Sequence, residues 1–114
     1  MFKTKEQIMA KASPNMDGSD RLFLSNLADF EGKNEKLRTF ALARLCPGQE
    51  VKFHIHESES ESYYILSGTG VYNDDGNEMP ATPGMVTFTP SGHGHGIKNT
   101  GDEMLEFIAL ILLD

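Results

Sequence analysis

The sequence predicts an all-β fold with a short N-terminal arm. Short apolar runs recur along most of the 114-residue chain, turn residues separate them, and helix signals are confined to the start. This spacing is typical of a β-sandwich or a small barrel. The chain is long enough for one domain with a single core, and no repeat or linker divides it. We therefore expect an arm over residues 1–20 and one barrel domain over residues 21–114.

The elements follow from local pattern. The arm combines a helix-like segment, KEQIMAK, with the turn-rich stretch SPNMDGSD, and neither carries residues that indicate a site. The predicted strands are the runs RLFL, LRTFALARL, EVKFHIH, SYYILSG, GVYN, MVTFTP and MLEFIALILL. Asp75-Gly76 tolerates the positive φ angles of a tight hairpin. Pro47-Gly48 and Pro83-Gly84 each fit the centre of a type II turn.

Composition and charge exclude several classes of function. A formal net charge of −7 disfavours a surface that follows nucleic-acid phosphates. No apolar stretch is long enough to span a bilayer, and the N-terminus lacks the apolar run of a signal peptide. The single cysteine, Cys46, cannot form an internal disulfide, and its place before Pro47 indicates a strand-end residue rather than a nucleophile. We expect a cytoplasmic protein without a membrane or nucleic-acid partner.

The four histidines form two H-x-H pairs, His54/His56 and His93/His95. On a strand, residues two apart point to the same face, so both imidazoles of a pair can converge on one point. On a helix they would lie about 200° apart around the axis. The strand predicted over EVKFHIH therefore makes His54 and His56 candidate ligands of one metal ion.

A carboxylate would complete a mixed nitrogen and oxygen site for a divalent metal. Glu61 is the best candidate because it opens the next predicted strand, whereas we interpret Glu57 and Glu59 as solvated acids of the turn. The alternative is a strand whose apolar face, with Val51, is buried while its histidines face water.

Other strands favour the inward orientation of the histidines. In SYYILSG, Tyr63 and Ile65 oppose Tyr64 and Leu66, so both faces of this strand are apolar and each needs a cover. A barrel interior on one side and a partner subunit or the arm on the other would supply both covers.

Two segments together resemble the two motifs of the cupin superfamily. Residues 48–68 read G-x5-H-x-H-x4-E-x6-G, and residues 84–99 read G-x5-P-x-G-x2-H-x3-N. The segment between them is short, as in small single-domain cupins. The resemblance implies a jelly-roll β-barrel that assembles as a homodimer. It also implies His54, His56, Glu61 and His95 as the metal ligands.

The resemblance ranks the second histidine pair. His95 occupies the ligand position of the second motif, whereas His93 falls in the variable pair before it, between two glycines. We interpret His93 as a group at the pocket rim or beside a ligand, against the alternative of a plain surface histidine.

Three imidazoles and one carboxylate would leave a six-coordinate ion with open positions for a substrate or water. The ligand set suits Mn, Fe, Ni, Co or Zn, and the sequence does not choose among them. Strand alternation places Lys52 and Tyr63 on the faces of the ligands. Lys52 could pair with an anionic substrate and Tyr63 could donate a proton, or either could fill the barrel mouth. Ile65, Phe88 and Ile97 are core candidates.

The sequence leaves two functions open. The first is a metal-dependent enzyme of the dioxygenase, decarboxylase or isomerase type, acting on a small polar molecule inside the barrel. The second is a non-enzymatic module that binds a small molecule or metal, a hypothesis that rests on the small size and the absence of a second domain.

Overall fold

The computed structural model describes residues 1–10, 13–14, 23–27 and 29–114 of the chain. These residues form one short helix and ten strands: α1 Lys5–Ala10, β1 Ser13–Pro14, β2 Phe23–Asn26, β3 Leu37–Leu45, β4 Glu50–Ile55, β5 Glu59–Ser67, β6 Gly70–Asp74, β7 Asn77–Ala81, β8 Val86–Thr89, β9 Gly94–Lys98 and β10 Leu105–Leu113. The all-β prediction and the helix at the start are confirmed. The predicted arm boundary after residue 20 lies outside the described residues.

The strands form two antiparallel sheets. The larger has the order β1-β2-β3-β10-β5-β8, and the smaller has the order β4-β9-β6-β7. Apolar side chains from both sheets form one core, in which Leu45, Ile65 and Phe107 of the larger sheet meet Tyr72 and Ile97 of the smaller. Each is at most 2% exposed, and burying such a side chain stabilises the fold by roughly 1.5–3 kcal/mol.

The core predictions are confirmed for Ile65 and Ile97 and wrong for Phe88. Phe88 is 62% exposed because it lies opposite Ser62 on the outward face of the larger sheet. Thr87 and Thr89 of the same strand are the buried ones. The run MVTFTP contains two alternating faces, and the fold buries the threonine face.

The predicted turns are present. Asp75 and Gly76 have φ angles of 53° and 103° at the tip of the β6–β7 hairpin. Gly48 and Gly84 have φ angles of 85° and 88°, as the third position of a type II turn requires. The turn at Gly48 is closed by the Gln49 backbone N–H, which donates to the Cys46 carbonyl at 3.0 Å. The half-buried Cys46 lies directly after β3, as expected.

A β-bulge in β4 changes which side chains face the interior. Val51 lies opposite Ile97 and His54 lies opposite His95, so β4 uses one residue more than β9 between these pairs. Both Val51 and His54 therefore face inward. The expectation that Lys52 shares the face of the ligands is wrong for this reason, and Lys52 is exposed.

Two glycines on β9 make room for this bulge. A Cβ atom on Gly94 would lie 2.4 Å from the Phe53 ring, and one on Gly96 would lie 2.9 Å from the Val51 carbonyl oxygen. Real Cβ atoms do not approach so closely. The glycines on either side of His95 therefore permit the bulged strand to lie against it.

A second bulge lies in β3. Thr39 lies opposite Ile111, whereas the next residue of β10, Leu112, lies opposite Leu37, so Arg38 is the extra residue. Because alternation is interrupted there, Arg38 and Thr39 both line the same interior cavity.

The outward face of the larger sheet is apolar across four neighbouring strands. The exposed side chains Phe40, Tyr64, Val86, Phe88 and Leu112 lie on it, together with the half-buried Leu42, Ile108 and Leu110. We call these eight residues the apolar face.

In the described part of the chain, no helix is long and apolar enough to cross a membrane.

Candidate metal centre

Four side chains from separate parts of the chain converge inside the fold. His54 lies on β4, His56 directly follows it, Glu61 lies on β5 and His95 lies on β9. One ligand atom from each lies within 4.8 Å of the others. His95 is fully buried, and His56 and Glu61 are less than one-tenth exposed. The structure thus brings together the four residues that the sequence suggested.

The separations among these atoms fit metal coordination. The Nε2 atom of His56 lies 3.0 Å from Nε2 of His54 and 3.1 Å from Nε2 of His95. The Oε1 atom of Glu61 lies 2.9 Å from Nε2 of His56 and 2.7 Å from Nε2 of His95. Adjacent corners of an octahedron with bonds of about 2.1 Å are ~3.0 Å apart. These four atoms could therefore hold one divalent ion.

The other ring nitrogen of each histidine has its own partner. Nδ1 of His54 lies 2.8 Å from the Lys52 carbonyl oxygen, Nδ1 of His56 lies 2.7 Å from Oε2 of Glu59, and Nδ1 of His95 lies 2.9 Å from the Tyr72 hydroxyl.

These contacts determine which nitrogen carries hydrogen. A carbonyl and a carboxylate accept only, so Nδ1 donates in His54 and His56, and in the neutral rings the Nε2 lone pairs face each other and Glu61. Such close lone pairs repel unless a cation or a proton lies between them. The chemistry of the donor set therefore fits a metal ion.

Glu59 corrects the sequence interpretation of the acidic run. It was expected to be a solvated turn residue, but it opens β5 and is 6% exposed. It shares the inward face with Glu61 because the two residues are two apart on one strand. Its Oε2 accepts from His56, and its Oε1 accepts from Nη1 of Arg38. Glu57 is exposed, as expected.

Glu61 and the histidines beside it shift one another's pKa values. Burial raises the pKa of the Glu61 carboxyl, but its hydrogen bonds with His56 and His95 outweigh burial and leave the pKa below its ordinary value. The hydrogen bond with Glu61 raises the pKa of His56, against the effect of burial. Burial lowers the pKa of His95. Glu61 is thus held as a carboxylate and His95 as a neutral imidazole, the forms that bind metals.

Three of the four side chains, those of His54, His56 and Glu61, line a cavity of about 440 Å³, within the usual range of small-molecule sites. Its described lining residues are Arg38, Thr39, Ala43, Val51, His54, Ile55, His56, Glu57, Glu59, Glu61, Tyr63, Phe107, Ala109 and Ile111. Exposed Arg38, Ile55 and Glu57 mark its mouth. Tyr63 is 3% exposed, and its ring stacks on His95 at a centroid distance of 4.7 Å. Tyr63 therefore both packs in the core and faces the cavity.

His93 and Lys52 lie outside the lining of this cavity. The exposed His93 ring places Nδ1 2.8 Å from Oδ2 of Asp75, and this contact lowers the pKa of the Asp75 carboxyl. The backbone carbonyl of His93 accepts from the His56 N–H at 3.1 Å. The backbone of Lys52, rather than its side chain, reaches the cluster through His54. Both residues thus support metal-ligand candidates through their main chain.

Sequence reasoning missed Arg38, Glu59 and Tyr72. The parity of Glu59 with Glu61 could have placed it inward. Arg38 gives no such signal because its orientation depends on a bulge. Tyr72 reaches His95 only through the pairing of β6 with β9.

Comparison with known proteins places the chain in one family. Residues 41–111 match the Cupin domain family. The chain belongs to the cupin family. This cupin is 45% identical, over 99% of its length and 94% of the relative's, to the oxalate-binding protein of Thermotoga maritima.

Solved structures agree with this assignment. The crystal structure of a predicted oxalate decarboxylase from Thermotoga maritima is 43% identical to this cupin, with a TM-score of 0.83 and 91% of each chain covered. A cupin 2 conserved barrel domain protein from Salinispora arenicola has a TM-score of 0.78 at 21% identity, covering 100% of this chain and 90% of that one, and supports the fold alone.

A glucose-6-phosphate isomerase of Thermococcus onnurineus is 32% identical to this cupin over 88 residues. The match covers 66% of this chain and 47% of the isomerase. The cupin thus spans about half the length of that relative.

Proposed function

We propose that this cupin binds a divalent transition metal through His54, His56, Glu61 and His95 and, beside it, a small dicarboxylate of the oxalate type. The observation that carries the proposal is the convergence of three Nε2 atoms and one carboxylate oxygen beside a cavity, all within 4.8 Å of one another and with four of the pairwise separations at 2.7–3.1 Å. The metal would be Mn, Fe, Ni, Co or Zn. When bound, it would supply a Lewis acid that attracts a ligand oxygen.

The class of ligand is supported by likeness and by charge. The Thermotoga relative named an oxalate-binding protein covers nearly the whole chain. A metal ion held by a single carboxylate keeps a net positive charge, which favours an anion in the cavity over a neutral molecule. Val51, Phe107 and Ile111 form an apolar part of the cavity wall, so the metal and the few polar side chains would set the orientation of the ligand.

The test uses protein loaded with Mn²⁺, and titration calorimetry measures its binding of oxalate, malonate, succinate and formate. We expect saturable binding of at least one dicarboxylate that disappears in the His56→Ala variant, which should also lose the metal. A metal-loaded protein that binds none of the four acids would contradict the proposed function.

A second candidate function is decarboxylation of the bound acid, which the Thermotoga structure titled a predicted oxalate decarboxylase favours. In that reaction the carbon–carbon bond of oxalate breaks, one half leaves as carbon dioxide, and the other takes up a proton to become formate. Tyr63, which lines the cavity next to His95, is the candidate proton donor. Formate measured by NMR after incubation distinguishes the two, since a binding module returns oxalate unchanged.

The apolar face supports a homodimer as the form of the protein. Its exposed members are 36–68% exposed, and soluble monomers rarely leave contiguous apolar patches larger than a few hundred Å² uncovered. A second copy of this chain would match it, because a twofold interface pairs a patch with itself. Light scattering with chromatography measures the mass, and a monomer at micromolar concentration would refute this part of the proposal.

A further inference from the structure

The position of Arg38 is not explained by the candidate metal site alone. It is the bulged residue of β3, and the bulge directs its side chain to the cavity, next to Thr39 on the same wall. Regular alternation would have placed one of the two on the outward face. Bulges that re-aim a side chain occur often beside active sites. The local backbone thus departs from the regular sheet at the residue that brings a guanidinium to the cavity mouth.

The charges around the cavity make this guanidinium significant. Among the described lining residues, Arg38 is the one with a permanent positive charge, while Glu57, Glu59 and Glu61 are acids. A divalent ion and Arg38 together would balance the three carboxylates. Without Arg38 the ion and the three carboxylates would together keep one net negative charge, which would oppose the attraction of the metal ion for an anion.

Glu59 holds Arg38 at the mouth and uses a donor of Nη1, which leaves the other donors of the guanidinium for a ligand. The guanidinium donates to Oε1 of Glu59 through Nη1, while Oε2 of Glu59 accepts from His56. A guanidinium carries five N–H donors on three nitrogens, so Nε and Nη2 can still donate to a ligand. The side chain is 57% exposed, which leaves it accessible from solvent. One buried carboxylate therefore connects the metal-binding wall to a cation at the mouth.

We propose that Arg38 binds the carboxylate of the ligand that points away from the metal, and thereby selects dicarboxylates over monocarboxylates. This inference rests on the proposed function and adds the residue that recognises the second charge. A planar guanidinium pairs with a carboxylate through two parallel N–H donors, which a lysine cannot reproduce. The metal would hold one end of the ligand and Arg38 the other.

The experiment compares Arg38→Gln with wild type, both fully loaded with Mn²⁺, by calorimetric titration with oxalate, malonate, succinate and formate. We expect the affinity for the best dicarboxylate to fall on the order of tenfold, while the affinity for formate changes less than about twofold. Arg38→Lys should recover part of the loss. Lys36→Gln, which removes an exposed positive charge two residues away, is the matched control and should behave as wild type.

The outcomes separate the two proposals. If wild type binds a dicarboxylate and Arg38→Gln binds it equally well, the role of Arg38 is refuted and the proposed function stands. If dicarboxylate and formate affinities fall by the same factor, the effect passes through Glu59 and His56 to the metal, and the role of Arg38 as a ligand contact is refuted. If wild type binds no acid, the proposed function itself fails.

Discussion

Replacing Glu59 by alanine should weaken metal binding although Glu59 is not one of the candidate ligands. Its Oε2 accepts from Nδ1 of His56 at 2.7 Å, and the two side chains are 9% and 8% exposed. This contact keeps the hydrogen of His56 on Nδ1, turns Nε2 toward the metal position and makes the imidazole more basic. Without it, the ring can rotate or change tautomer, and each change removes one ligand.

The expected loss follows from this burial. Removal of a carboxylate that supports a ligating histidine costs about 10–100-fold in metal affinity, or about 1.4–2.7 kcal/mol. The hydrogen bond here is short and shielded from water, so we expect the upper half of that range. Glu59→Gln keeps an amide oxygen that can accept from His56, so this variant should lose less metal affinity than Glu59→Ala.

The assay is competition for Zn²⁺ against a chromophoric chelator at pH 7.5, with circular dichroism to confirm that each variant is folded. Glu57→Ala is the matched control, since Glu57 is an exposed acid two residues away. An equal change in Zn²⁺ affinity for Glu59→Ala and Glu57→Ala would show that only the net charge matters, and the positioning role of Glu59 would be wrong.

Three further outcomes test the site and the assembly. His95→Ala should abolish metal binding measured by elemental analysis, whereas His93→Ala should retain it within about threefold, because the His93 side chain lies outside the cavity. The pKa of His56 lies above its ordinary value of 6.5, so protons compete with the metal for this imidazole from neutral pH downward. The pKa of the Glu61 carboxyl lies below its ordinary value of 4.5, so this group stays ionised over the same range. Metal content after dialysis should therefore fall between pH 7 and pH 5, and constant content at pH 5 would contradict the three-histidine assignment. Phe88→Glu should convert the proposed dimer to a monomer in light scattering, since it places a charge on the apolar face.

The strands and the convergence of the four candidate ligands could be predicted because their signals lie within short segments of the sequence. Leu37–Leu45 was delimited from its apolar run alone, and the turns at Gly48 and Gly84 follow from the φ angles that glycine permits. The two H-x-H pairs required only the twofold period of a strand to suggest convergence. The motif spacing then separated His95 from His93.

The rest depends on the register of strands that are distant in sequence. Strict alternation placed Lys52 beside the ligands, and the bulge between Val51 and His54 removed it. The bulge at Arg38 has the opposite effect and adds a side chain to the cavity. A bulge forms where one strand has one residue more than its partner between two paired positions. The sequence of one strand does not determine which residues of the other strand it pairs with, so the position of a bulge could not be predicted from either strand alone.

The cavity itself exists because the interior is packed unevenly. At one end, Leu45, Ile65 and Leu105 fill the space between the sheets, each fully buried. At the end with the four candidate ligands, the inward positions of β3 and β10 include Ala43 and Ala109, which line the cavity. Each methylene that a leucine would bury there is worth about 0.8 kcal/mol, so the chain leaves several kcal/mol of burial unused. A fold selected for stability alone would fill this space, so the opening beside the histidines supports the proposal that a ligand binds there.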